Sequence, residues 1–184
     1  FSFTDFLSIT LDGYYNEVTD KIVAFPSTYV WKMQNYGTVH ITGLDATMAT
    51  SIPVCPNINV GLSGNYSWQK AIDMTNPDAK NYKDQLPYTP QHSGNASTTI
   101  ETPWINVGYS LTGVSERYYM AQNIPVNKID GYVEHTATLW REFMEGCHLR
   151  LQAEVINLTD KQYDVIKYYP MPGRSWRITG VLRF

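Results

Sequence analysis

Apolar and polar side chains alternate with a period of two through most of the chain, and the C-terminal stretch shows it plainly. Between Gly173 and Phe184, one parity carries Trp176, Ile178, Gly180, Leu182 and Phe184, and the other Ser175, Arg177, Thr179, Val181 and Arg183. Such a period puts successive side chains on opposite faces of a strand. The pattern recurs upstream. Residues 148–158 set Leu149, Leu151, Ala153 and Val155 against His148, Arg150, Gln152 and Glu154. Residues 133–143 keep Val133, Ala137, Leu139 and Phe143 to one side, and 105–119 oppose Ile105, Val107, Tyr109 and Leu111 to Asn106, Ser110, Thr112 and Glu116. Residues 93–100 form a weaker strand of Thr, Ser and Ala. Residues 58–68 alternate most cleanly, residues 38–50 have strand composition with a bulge expected near Gly43, and 6–17 set Leu7, Ile9, Leu11 and Tyr15 against Ser8, Thr10, Asp12 and Asn16. This predicts about eight strands and no helix.

The links between these strands alternate in length. Short ones are expected at 52–57, 101–104 and 144–147, long ones at 18–30, 71–90, 120–131 and 160–172. Antiparallel strands send successive links to opposite ends, so the short links share one end and the long links the other. Each strand is near the length that crosses a bilayer when tilted. Alternation, link asymmetry and a terminal aromatic strand together predict an all-β, antiparallel transmembrane β-barrel, with apolar positions toward lipid and polar positions toward the lumen.

Composition agrees. Charged residues are only 17% and aromatics reach 14%, with 14 Tyr and 5 Trp, whereas soluble domains average roughly 25% charged. A net charge of −3 excludes the basic footprint of a nucleic-acid partner. The chain opens on Phe1-Ser2-Phe3 with neither an initiator Met nor a signal peptide, and reads as one unit, 1–184, cut from something longer.

Several motifs resemble one family. Residues 14–23 (Y-Y-N-E-V-T-D-K-I-V) and 35–45 (N-Y-G-T-V-H-I-T-G-L-D) resemble paired strands in the barrels of TonB-dependent outer-membrane receptors. Residues 86–94 (L-P-Y-T-P-Q-H-S-G) are similar to the Pro-rich strand entry that follows a long loop in those barrels, and 155–163 (V-I-N-L-T-D-K-Q-Y) to the end of their penultimate strand. Residues 169–176 (Y-P-M-P-G-R-S-W) lead into the last strand as in the cobalamin- and siderophore-receptor branch. The resemblance covers nearly the whole chain. It implies the C-terminal part of a barrel of about 22 strands, located in the bacterial outer membrane. The partners it implies are lipid, the plug domain and remaining strands, TonB acting through an N-terminal part, the barrel assembly machinery and a small-molecule nutrient. It also implies that Trp176, Leu182 and Phe184 belong to the assembly signal of the last strand.

The remaining candidates follow from chemistry. Arg150, Glu154, Arg177 and Arg183 share the polar register of the last two strands, as a lumen ladder or a surface for the plug. Tyr82, Tyr88, Tyr168, Tyr169 and Met171 give the long links an aromatic surface suited to ligand recognition, while Tyr163 is expected in the membrane-interface belt. His40, His92, His135 and His148 lie on different strands with no ligand spacing, so no metal, no cofactor and no catalytic constellation is expected. Asn65, Asn95 and Asn157 begin Asn-X-Ser/Thr triplets that a bacterial barrel does not use. Cys55 and Cys147 lie in short links four strands apart, about 19 Å at about 4.8 Å per strand, too far for a disulfide. Two functions remain open: part of a receptor importing an iron–siderophore or cobalamin, and a self-contained small barrel serving as a ligand-binding or adhesion module. In the second case the first and last strands would pair to close it.

Overall fold

A computed structural model of the chain describes residues 2–4, 7–26, 30–143 and 148–183. Its strands are β1 (Ser2–Thr4), β2 (Leu7–Pro26), β3 (Trp31–Cys55), β4 (Ile58–Asp73), β5 (His92–Glu101), β6 (Asn106–Val114), β7 (Arg117–Tyr118), β8 (Lys128–Ile129), β9 (Tyr132–Phe143), β10 (His148–Ile156), β11 (Asp164–Ile166), β12 (Tyr169–Pro170) and β13 (Ser175–Arg183). Among the described residues the one helical element is a single 3-10 turn, Pro125–Asn127. One antiparallel sheet runs β1-β2-β3-β4-β5-β6-β9-β10-β13, and the hairpins β7-β8 and β11-β12 stand apart from it.

Register converts the sequence alternation into two faces. Cross-strand partners link Ile52, Val60, Ile100, Val107, Leu139, Ala153 and Ile178 into one row across β3 to β13. One residue along, the partners are Ser51, Gly61, Thr99, Gly108, Thr138, Glu154 and Arg177. Partners in a row share a face, so adjacent rows define an apolar and a polar side of one sheet. Nothing in the described chain covers the apolar side: Ile178 is 85% exposed and Trp176 75%. A sheet in water would bury such a face against a second layer; lipid removes the need.

Three expectations change. The link expected at 18–30 is mostly strand, because β2 and β3 pair from Leu7↔Thr50 to Pro26↔Trp31. Pairing there is a backbone property, and the apolar band on which the alternation was read has already ended. Gly43 carries no bulge and stays in register opposite Tyr14, whose ring fills the space a Cβ would occupy. The irregularity sits higher, where Asp20 adopts a left-handed φ of 53° and the pairing of β2 with β3 is interrupted between Thr19↔Thr38 and Lys21↔Tyr36. Face parity reverses there, so Tyr36 and Val39, three residues apart, enter one buried cluster with Ala71 and Leu86. Finally, the strand expected over 105–119 breaks after Val114, and β7 leaves to pair with β8. Ser115 ends β6 by exchanging backbone and side-chain bonds with His92.

Among the described residues the sheet is open: β13 pairs only with β10, and β1 reaches only Leu7 and Ser8 of β2. The closure of a small barrel by pairing its first and last strands is therefore not what the described residues adopt. The link 144–147, with Cys147, and the terminal Phe184 lie outside the described residues, so the expected absence of a Cys55–Cys147 bridge has no counterpart in the structure; Cys55 is an exposed free thiol.

Candidate functional site

Three long links, 74–91, 115–131 and 157–174, leave the same end of the sheet and join into one layer. In the first, buried Asp73 organises the turn: its carboxylate accepts from Thr75 N at 2.9 Å and Asn81 Nδ2 at 2.5 Å. Buried Gln85 accepts from Ala71 N with its Oε1 and donates from Nε2 to the carbonyls of Gln69 and Thr89. Leu86 seals this turn onto Tyr36, Val39 and Ala71. Asp73 and Gln85 thereby find partners for their buried polar groups, which lets an irregular segment pack against the sheet, while the buried Tyr36 hydroxyl has no partner among the described residues.

The second link is tied to the first by Tyr88 N donating to Tyr118 O at 2.7 Å and by Asn123 N donating to Asp84 Oδ2 at 3.0 Å. It is tied to the third by Arg117. Only 4% exposed, Arg117 donates from Nη2 to the carbonyls of Asp164 at 2.9 Å and Val165 at 2.7 Å, and its guanidinium lies 5.9 Å from the Tyr132 ring centroid. Within the third link, fully buried Asn157 (φ 54°) donates to the carbonyls of Lys161 and Pro172 and accepts from Lys161 N. Asp160 accepts from Arg174 N at 2.8 Å, closing the entry to β13.

The aromatic candidates divide between these surroundings. Tyr168 (71% exposed) and Tyr169 lie open at the β11-β12 turn, and Lys167 Nζ sits 5.8 Å and 5.5 Å from the ring centroids of Tyr119 and Tyr168. Met171 donates its N–H to Tyr163 O, and Tyr82 carries Lys83 at 5.3 Å. Tyr88 is different: its φ is 56°, its hydroxyl is buried without a described partner, and burial raises its phenol above the usual range. Tyr163 corrects the expectation of an interface belt. It stacks on Tyr132 and donates to Glu134, both in the polar register of β9, so it leans over the polar face rather than the apolar one.

Beside this aromatic group a cavity of about 310 Å³ opens between the second and third links, lined by Lys128, Lys161, Tyr163, Asp164, Lys167 and Pro170. Sequence reasoning missed Arg117, Lys161, Lys167 and Tyr119 here. Only the clustering of Lys with Tyr in the third link hinted at them. Asn157 stood out solely as part of an Asn-X-Thr triplet, and its structural work in the loop is what the spacing hid.

On the polar face, Arg177 and Glu154 form an ion pair as direct cross-strand partners. Arg150 lies 3.8 Å from Glu142, donates to Gln152 Oε1 at 2.9 Å and stacks 5.4 Å from the Trp140 centroid. Arg183 shares this register and lines, with Arg150 and Glu142, a cavity of about 590 Å³. Trp176 and Leu182 share the opposite face.

Among family descriptions, "TonB dependent receptor-like, beta-barrel" matches residues 1–158. No curated protein matches the sequence. Solved structures share the fold. The siderophore receptor PiuA of Acinetobacter baumannii superposes with a TM-score of 0.72 at 20% identity, over 97% of this chain and 26% of that one. The ferric-catecholate import receptor Fiu of K12 E. coli gives 0.69 at 21% identity over 97% and 25%. The ferric citrate transporter FecA gives 0.77 at 16% identity over 96% and 29%. The chain thus spans between a quarter and three-tenths of the length of these three proteins.

Proposed function

This chain belongs to the TonB-dependent receptor-like β-barrel family, and from that premise we propose that it forms part of the wall of an outer-membrane receptor that imports an iron–siderophore complex. The observation that carries the reading is the pair of adjacent rows across the sheet. An uncovered apolar row meets lipid and a polar row meets the lumen, with one loop layer crowning a single end.

In this reading Arg150, Glu154, Arg177 and Arg183 face the plug domain and the interior. Tyr168, Tyr169, Met171 and Tyr82 meet the nutrient, and Tyr88 holds the layer beneath them. Trp176, Leu182 and Phe184 present the last strand to the barrel assembly machinery. The two open edges pair with further strands, and TonB acts through a part of the receptor beyond these residues. The cargo is the finer choice. The three solved proteins named above are a siderophore receptor, a ferric-catecholate receptor and a ferric citrate transporter, which supports an iron complex over cobalamin. Transport rather than catalysis is the work assigned. The small closed module is disfavoured by edges that do not meet among the described residues.

Uptake of labelled iron complexes by cells whose intact receptor carries Tyr168→Ala and Tyr169→Ala tests the assignment. Barrel levels in the outer membrane should be unchanged and uptake should fall by roughly tenfold, the scale of losing two buried aromatic contacts. Undiminished uptake would remove these tyrosines from the ligand site, and a protein absent from the membrane would sink the receptor reading altogether.

A further inference from the structure

The apolar face carries a repeated polar device that neither strand packing nor transport requires. At three hairpins a Tyr on one strand meets a His two residues closer to the loop end on the next: Tyr15 with His40, Tyr66 with His92, and Tyr109 with His135. The partners opposite these tyrosines are Thr42, Gly94 and Ala137, so every pair makes the same diagonal step. Two of them are hydrogen bonded, Tyr66 and Tyr109 hydroxyls each lying 2.6 Å from Nδ1 of their His. A phenol is the better donor and an imidazole nitrogen the better acceptor, so the hydroxyl proton points to Nδ1 and the ring carries its own proton on Nε2. A protonated ring likewise donates from Nε2. The two hydrogen-bonded pairs therefore each present a fixed N–H donor at the loop-side margin of a face otherwise built for hydrocarbon, whereas His40 turns Nε2 toward Glu17 at 3.9 Å.

Next to the Tyr66–His92 pair the face is dented. Gly94 and Gly113 are direct cross-strand partners, and with Ala96 they floor a groove of about 440 Å³ walled by Tyr66, His92 and Val133. The groove runs from His92, at the start of β5, toward the middle of the strands. It has the width of missing side chains, an apolar floor, and a hydrogen-bond donor at its loop-side end.

We propose that this groove is a lipid site: one acyl chain lies over Gly94 and Gly113, and the phosphate of the same lipid's headgroup accepts the Nε2–H of His92. The inference rests on the reading of the apolar face as membrane-facing. A hydrogen bond to an anion at the margin of a low-dielectric layer is among the stronger neutral-donor contacts. The open depression supplies dispersion contacts that a smooth wall lacks. Tyr66 acts through the imidazole as a positioning residue.

The test uses the intact receptor carrying this chain, purified in mild detergent and titrated with phosphatidylglycerol or with phosphate-free galactosyl diacylglycerol under native mass spectrometry. One phosphatidylglycerol should be retained per barrel, and the galactolipid about tenfold more weakly, the loss of one charge-assisted hydrogen bond. His92→Phe should abolish the preference for phosphate. Gly113→Leu should weaken both lipids; a Cβ at Gly113 meets only Val133 Cγ2 at 3.8 Å, so the variant fills the groove without straining the sheet. Tyr66→Phe, which frees the ring without removing it, should reduce the phosphate preference and leave galactolipid binding unchanged. Equal retention of both lipids, or variants that bind as the parent does, would overturn the site while leaving the membrane reading intact. A parent protein that does not enter bilayers at all would overturn the membrane reading first.

Discussion

Tyr163 lies face to face with Tyr132, ring centroids 3.9 Å apart and planes 15° from parallel, and its hydroxyl donates to Glu134 Oε2 at 2.5 Å. One residue of the last long link is thus docked on the polar register of β9. Burial first, then the bond to Glu134, push the Tyr163 phenol above its usual range. An acid whose pKa is raised by folding stabilises fully below its unfolded pKa, and that contribution is lost at higher pH. The docked link is therefore expected to hold through neutral pH and to loosen above about pH 10, the ordinary phenol value. Amide exchange across 157–174, followed against the phenolate absorbance, checks this. Tyr163→Phe should remove the alkaline step and cost about 1–2 kcal/mol of local stability; a step that survives in that variant would belong to another group.

Arg117 is the second tie, and its two carbonyl acceptors sit 47 and 48 residues downstream. Lysine supplies a point charge where the guanidinium supplies a planar fork. Arg117→Lys should release the third link by about 2–3 kcal/mol, the scale of bonds to a charged donor. Limited proteolysis between 157 and 174, with strand protection unchanged, is the expected signature.

These ties explain what could and could not be read from the chain. Strands announce themselves locally, because a period of two in Leu149, Leu151, Ala153 and Val155 needs no partner to be seen. Registers in the apolar band were legible for the same reason. The upper halves of β2 and β3 were not, since past Asp20 the faces exchange and the alternation dissolves into a loop-like composition. The loop layer was least legible. Arg117, Asn157 and Tyr163 act through partners whose distance along the chain carries no pattern, and an exposed tyrosine such as Tyr168 looks in sequence like one with a buried hydroxyl such as Tyr88.

The contact between Tyr14 and Gly43 makes a steric prediction. A Cβ at Gly43 would fall on the Tyr14 ring. Gly43→Val should therefore lower the yield of folded barrel, and adding Tyr14→Ala should restore much of it. Rescue measured by heat-modifiable gel mobility establishes that the ring, rather than the backbone, demands glycine. Failure of the double variant would move the cause to backbone conformation.

The pair Arg177–Glu154 is unevenly exposed, with Glu154 largely covered and Arg177 61% exposed at its side chain. Exposure of one partner screens the attraction, so a double-mutant cycle with Arg177→Met and Glu154→Gln should give only a small coupling, smaller still in high salt. A coupling several times larger would mean that the plug or another wall excludes water from this ladder in the intact receptor.

Ile178 decides the orientation of the whole sheet. It is the most exposed large apolar side chain described, at 85%, and its neighbour Thr179 points to the opposite face. For a sheet in water, Ile178→Lys would be neutral or helpful, because it removes apolar surface from solvent. For a wall in a bilayer it places a charge in hydrocarbon, at a cost of about 2–4 kcal/mol near the midplane and less toward either interface. Thr179→Lys reverses the assignment, since a polar-face position meets a wet lumen. The intact receptor refolded into lipid vesicles should therefore lose stability with Ile178→Lys and retain it with Thr179→Lys. The opposite order would turn the sheet inside out and take with it the lumen ladder, the lipid groove and the terminal-strand signal, all of which depend on the same register of β13.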